Sequence, residues 1–264
     1  MCNQEINMKI FKLNNIDFQK GTVAFTWDDN LTSHTQIIAP LFLKFNKKCS
    51  FYINPGEPNF DTLFADLYQH LKLQGFEIGS HGYTHCHYSY LTDKEYIAQI
   101  KNSISSIVHI FQTQPTTFAF PHHDYDEKML SQARNLFFET RNSLYNSVRF
   151  SLKTNTNIEQ INEALRNAIH NRYTIVFSGH GAFYEEENLN ACGYEPISDK
   201  QLHSILKIIS QYEELQICTF EQAALKTYLQ YHCETYGDVI LLSDLKLAFL
   251  KQYGLTEERI CNLI

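Results

Sequence analysis

The stretch Thr22-Val23-Ala24-Phe25-Thr26-Trp27-Asp28-Asp29-Asn30 decides the fold, because an apolar run of strand length ends on two adjacent carboxylates. Val23, Ala24 and Phe25 carry the strand, so both carboxylates emerge at its C-terminal edge, where parallel α/β folds build their active sites. Successive side chains of an extended strand point to opposite faces, which separates the tasks of Asp28 and Asp29. One can hold a metal while the other touches a bound water. For either residue alone the plainer reading is a helix N-cap ahead of Leu31.

Outward from this strand, apolar runs alternate with helical patterns, as parallel strands joined by right-handed crossovers require. Strands are expected at 22–28, 49–54, 76–80, 116–120, 137–141, 174–178 and 215–219. Helices are expected at 33–48, 60–73, 93–111, 127–135, 158–171 and 199–211. Seven such strands nearly close a barrel, and 264 residues suit one main α/β domain. Tyr96, Ile97, Ile100, Ile104, Ile107, Val108 and Phe111 form one helical stripe, with Thr92 and Glu95 as its capping box. Ser198 with Gln201 and Thr219 with Gln222 mark two later helix starts. Beyond a barrel at 22–229, residues 1–21 form an N-terminal segment and 230–264 a short helical tail. That tail is read as a helix over 239–253 and another over 256–264, packed on the barrel or at a subunit contact. The long irregular segment 179–197, with Glu185, Glu186 and Glu187, reads as a functional loop or a solvated turn.

The chain is 44% hydrophobic, 19% charged and 14% aromatic, far from the signature of disorder. Its net charge of −7 and lack of a basic stripe exclude nucleic acid as a partner. No segment has the apolar length to span a bilayer, and the polar first twenty residues lack the apolar run of an export signal. Seven scattered cysteines without a CxxC pair read as reduced thiols. A cytoplasmic location without membrane contact is the expectation.

About fifty residues after the aspartates comes Ser80-His81-Gly82-Tyr83-Thr84-His85, again at a strand end. On a helical turn, histidines four apart point the same way, as zinc ligation needs. Two histidines and one aspartate leave positions open for water and substrate, which marks a catalytic metal site. His180 ends the strand at 174–178 between Gly179 and Gly181, a placement suited to proton transfer by an imidazole. His87 and Cys86 are awkwardly placed to join the ligands. His34, His70, His109, His170, His203 and His232 read as surface or helix-packing residues.

Taken in order, these motifs resemble the polysaccharide deacetylases of the NodB-homology type, carbohydrate esterase family 4. Thr26-Trp27-Asp28-Asp29-Asn30 is similar to the TFDDG motif, and His81 to His85 is similar to the family's histidine motif. Phe118-Ala119-Phe120-Pro121-His122-His123-Asp124-Tyr125 is similar to the variant FAYPYGxY. Ile175-Val176-Phe177-Ser178-Gly179-His180 and Thr219-Phe220-Glu221-Gln222-Ala223 match the two late motifs. The resemblance implies a distorted, incomplete (β/α)7 TIM-like barrel. It also implies Asp28 as general base, His180 as general acid, and Asp29, His81 and His85 as ligands of Zn2+ or another divalent metal. Pro121, His122 and Tyr125 would line the substrate side, with a backbone N–H near His122 helping to hold an oxyanion. Tyr83, Tyr88, Tyr90, Tyr125 and Tyr184 are candidates for stacking on sugar rings.

The implied activity is metal-dependent hydrolysis of an N-acetyl group on a sugar or polysaccharide. The alternatives are an amide hydrolase on a non-carbohydrate C–N bond and a catalytically silent sugar-binding relative. Three departures bear on this choice. Asn30 replaces a glycine, which Asn tolerates through its ease in left-handed backbone. The family's RxPY motif would place arginine at Ala119 and an aromatic residue at His122. Unless another arginine such as Arg141 reaches Asp28, the base is tuned differently. The tryptophan-bearing motif is missing, since Trp27 is the one tryptophan.

Overall fold

The computed structural model describes residues 7–185 and 194–264. Strands run, in chain order, as β1 (Met8–Lys12), β2 (Gly21–Asp28), β3 (Ser50–Ile53), β4 (Glu77–Ser80), β5 (Thr117–Phe118), β6 (Glu139–Thr140), β7 (Ser147–Ser151) and β8 (Thr174–Gly179). They continue as β9 (Ala182–Phe183), β10 (Ile197–Ser198), β11 (Leu215–Cys218), β12 (Glu234–Tyr236) and β13 (Val239–Ser243). The helices are α1 (Ala39–Lys44), α2 (Thr62–Leu73), α3 (Asp93–Phe111), α4 (Glu127–Arg134), α5 (Ile158–Asn171), α6 (Asp199–Ile209), α7 (Phe220–His232), α8 (Asp244–Gln252) and α9 (Glu257–Leu263).

Eight parallel strands curl into an incomplete barrel in the order β6-β5-β4-β3-β2-β8-β7, with β11 also paired to β2. All seven expected strands are present, and the expected α/β barrel class holds. The distortion is visible in the register of β2. β8 pairs with β2 from Thr22 to Trp27, while β11 pairs with Gly21 to Ala24 and β3 with Thr26 to Asp28. The side of β2 away from β8 is thus split between two strands. The eighth strand, β7, joins beyond β8 and leaves a seam facing β6.

Alternation along β2 sets both layers. Val23, Phe25 and Trp27 enter the core under the outer helices, with Phe25 4.9 Å from Phe177 and 5.0 Å from Phe42. Each such buried aromatic is worth about 1.5–3 kcal/mol. Ala24 joins the interior cluster with Tyr52, Ala119, Val176, Cys218 and Phe220, and the same parity turns Thr26 and Asp28 inward. α3 starts at the expected Thr92–Glu95 capping box and stops where Gln112 turns left-handed at φ 51. Ser198 and Thr219 cap α6 and α7 as expected.

The chain ends depart from expectation. Residues 239–253 are not one helix: β13 comes first, and α8 follows from a Ser243 N-cap. β13 is central to an antiparallel sheet between β12 and β1, so the N-terminal segment and the tail fold together. Leu225, Leu229, Ile240, Leu242, Leu250 and Ile260 are buried in the cluster that docks this unit on α7. Among the described residues, no helix is long and apolar enough to cross a membrane.

In the segment 179–197, β9 and β10 pair in parallel. Glu186, Glu187, Cys2 and Cys192 lie outside the described residues. The described cysteines, Cys49, Cys86, Cys218, Cys233 and Cys261, are free thiols.

Candidate active site

Three strand ends and one loop build the site. β2 delivers Asp28 and then breaks: Asp29 and Asn30 take positive φ values of 82 and 53. Asn30 adopts the left-handed turn expected of it and locks it, donating from Nδ2 to Asn54 O at 2.9 Å and accepting from Asn54 N at 3.0 Å. Asn54 Nδ2 in turn donates to His81 O, which ties the end of β2 to the turn after β4. That turn needs Gly82, whose φ is 84 and whose added Cβ would fall on the Tyr88 hydroxyl.

Asp29 Oδ1 lies 3.4 Å from His81 Nε2 and 3.2 Å from His85 Nε2. These three donor atoms fall within 4.8 Å of one another. The donors fit a divalent metal. Asp29 Oδ1 is buried without a hydrogen-bond partner among the described residues, as an atom reserved for an ion would be. His81 Nδ1 donates to the Ala119 carbonyl at 2.8 Å, which fixes the proton there and aims Nε2 at the site. Burial, followed by the His81 charge, pushes His85 down to about 4 and keeps its lone pair available at neutral pH. For His81, burial lowers the pKa, but the Asp28 and Asp29 carboxylates outweigh it and raise it above the ordinary imidazole value.

Asp28 sits beside this set, with Oδ2 3.8 Å from His81 Nε2. Arg141 grips it with two parallel bonds, Nη1 to Oδ1 and Nη2 to Oδ2, both at 2.7 Å, and also donates to Thr26 Oγ1 at 3.1 Å. Both partners are almost wholly buried, and the guanidinium lies 5.3 Å over the Tyr52 ring. Burial by itself raises the Asp28 carboxyl, but the Arg141 and His81 charges and the Arg141 hydrogen bonds hold it well below the ordinary carboxylate range. Asp28 is therefore ionised throughout the neutral range. The arginine missing at Ala119 is thus supplied by Arg141. Phe118 pairs with Thr140 in the sheet, so the next residues, Ala119 and Arg141, lie side by side just past the ends of β5 and β6.

His180 closes the site from β8, with Nε2 3.8 Å from Asp29 Oδ2. The position depends on Gly179, where a Cβ would meet the Trp27 ring at 2.7 Å. Two residues just after the aspartates hold the His180 loop: Ser33 Oγ accepts from Ala182 N at 3.1 Å, and His34 Nε2 donates to the His180 carbonyl at 2.7 Å. His34, read as a surface or helix-packing residue, is wholly buried and packs against Phe51 and Tyr68 while it holds this loop. Its Nδ1 accepts from the Tyr68 hydroxyl at 2.7 Å, and burial pushes it down to about 4, so it serves as a neutral donor. Nothing in the sequence alone marked this contact.

The remaining candidates fall around the rim. Pro121 is buried at the start of a tight turn in which His122 is left-handed at φ 55. The His122 ring lies 4.1 Å from His85 and stacks at 3.9 Å on His87. His87 faces Asp124 at 3.5 Å, and neither it nor Cys86 joins the ligand group. Tyr125 stacks on Phe120 at 4.6 Å. Tyr90 is exposed as expected, but Tyr88 is wholly buried against Tyr96 and cannot meet a sugar.

Fold and site together define a distorted α/β barrel that gathers a candidate metal-ligand set, a clamped carboxylate and a further histidine at its strand C-termini. Residues 15–140 match the family described as polysaccharide deacetylase. A chitin deacetylase of Arthroderma benhamiae is 27% identical over 110 residues, 40% of this chain and 29% of that protein. The chain thus matches less than a third of that relative's length. A family 4 acetyl xylan esterase from Clostridium thermocellum, solved with a cobalt ion, superposes at TM-score 0.54 with 16% identity over 76% of this chain and 89% of that one. A family 4 pseudoenzyme from Bacillus anthracis superposes at TM-score 0.52 with 14% identity over 78% and 66%. At these identities the superpositions speak for the fold. Residues 15–140, just under half of the chain, thus resemble the polysaccharide deacetylases in sequence, and the barrel has the fold of the carbohydrate esterase family 4 structures.

Proposed function

We propose that the protein is a metal-dependent deacetylase that hydrolyses the N-acetyl group of an N-acetylated saccharide. The observation that carries this reading is the Asp28 carboxylate, clamped by Arg141 and 3.8 Å from the His81 donor atom. A divalent ion held by Asp29, His81 and His85 would polarise the amide carbonyl and acidify the attacking water, which suits a base as weak as Asp28. Asp28 keeps lone pairs beyond those that Arg141 occupies, and takes the proton of the water. His180, across Asp29 from the base, gives a proton to the leaving amine. The His122 amide, in the tight left-handed turn after Pro121, would bind the oxyanion.

The rival is a silent saccharide-binding protein, for which the likeness to a pseudoenzyme speaks. A complete donor set, clamped base and free histidine speak against it, since binding alone needs none of them. The free cysteines among the described residues support a reducing, cytoplasmic setting as part of the same proposal. The test is acetate release from N-acetylated and O-acetylated saccharides, with and without a chelator. Release that the chelator stops and zinc restores is the expected result. Saccharide binding without release by the metal-loaded protein would establish the rival.

A further inference from the structure

The barrel is open along the seam between its edge strands, β6 and β7, and a cleft of about 480 Å³ occupies that seam. Its walls carry His123, Tyr125, Asn142, Arg149, Ser151 and Ser178. They are continuous with the site, because Asn142 follows the clamp Arg141 and Ser178 lies two residues before His180.

Arg149 pairs in register with Val176, a member of the barrel's interior cluster, so its side chain leaves β7 on the interior face. Its guanidinium makes no hydrogen bond and no ion pair among the described residues. No carboxylate among the described residues lines the cleft, although the chain as a whole carries a net charge of −7. A second group is also left over, for Asn142 Oδ1 is buried without a partner among the described residues. The exposed guanidinium, without a partner among the described residues and set among neutral hydrogen-bonding groups, is open to an anion from solvent. An anion fits the arginine fork, and a sugar hydroxyl fits the asparagine acceptor.

The geometry points to a subsite for an anionic substituent. The substrate is an N-acetylated saccharide bearing a carboxylate or phosphate on, or next to, the ring that loses its acetyl group, with Arg149 as the residue that selects it. The inference rests on the proposed deacetylase reading and names its substrate class.

Two readouts separate the two claims. Acetate release and calorimetric binding are measured on zinc-loaded protein with N-acetylglucosamine oligomers and with the same oligomers carrying a carboxyalkyl ether or a phosphate. The expected result is a preference for the anionic substrates of about tenfold in kcat/KM, falling toward one in Arg149→Gln and partly kept in Arg149→Lys. The carboxylate and phosphate arms identify which anion is preferred. Release without anionic preference, or a preference that survives Arg149→Gln, overturns the subsite and leaves the deacetylase reading standing. No release from any substrate, with anionic saccharides still bound more tightly through Arg149, overturns the deacetylase reading and upholds the subsite. Neither release nor selective binding overturns both.

Discussion

At the scale of single residues, the account turns on Arg141. It clamps Asp28 from one strand beyond the position at which the family motif carries arginine, and Ala119 is left to fill the barrel interior and offer its carbonyl to His81. The sequence named Arg141 as a substitute but could not place it, because the partners lie 113 residues apart and meet only through the pairing of β5 with β6. The aspartates and the first two histidines were legible because each ends an apolar strand. Arg141→Met strands a buried carboxylate and is expected to lower stability by about 3–5 kcal/mol, read from denaturant unfolding at neutral pH. Arg141→Lys should recover only part, since an ammonium cannot reproduce the two parallel bonds. If both variants match the wild type in stability, the buried clamp is wrong.

At the scale of elements, the strand ends are held by contacts that periodicity does not reveal. Gly179 lets β8 pass against Trp27, so Gly179→Ala is expected to displace the ring, read as a changed emission of the chain's single tryptophan. An unaltered spectrum would contradict that packing. His34 opens a π-type turn over His34–Ile38, a local irregularity common at functional sites, and fastens the His180 loop. His34→Phe keeps the bulk but loses the donor. Faster amide exchange confined to 179–183, with zinc uptake retained, is the expected outcome; unchanged exchange there would deny the loop its fastening. Two elements were misread for physical reasons. β7, Ser-Val-Arg-Phe-Ser, is a short edge strand without an apolar run. β13 packs Val-Ile-Leu-Leu directly ahead of a helix, and a short apolar run is compatible with either structure.

At the scale of the whole molecule, the end of the barrel away from the site is tied to the tail. Arg259 of α9 pairs with the buried Glu221 at 2.7 Å, and Glu221 N donates to the buried Glu77 at 2.7 Å. Burial, with the Glu221 charge second, raises the Glu77 carboxyl to about 7. With a folded value above the ordinary 4.5, protonated Glu77 contributes stability that is complete below about pH 4.5 and lost as pH rises through about 7. Glu77→Gln should flatten the dependence of Tm on pH across that window, while its carbonyl still accepts from Ser50 and Glu221. An equally steep dependence in the variant would place the titrating group elsewhere.

The site at the other end carries the central claim, that a clamped aspartate beside a three-residue metal set performs deacetylation. Acetate release from N-acetylated saccharides by zinc-loaded wild type and Asp28→Asn, with bound zinc measured in both, tests it most directly. The account predicts about one zinc per chain in each protein, and a rate lower in the variant by about 10²–10⁴-fold. Equal release by the two proteins, or none from the zinc-loaded wild type, would contradict it.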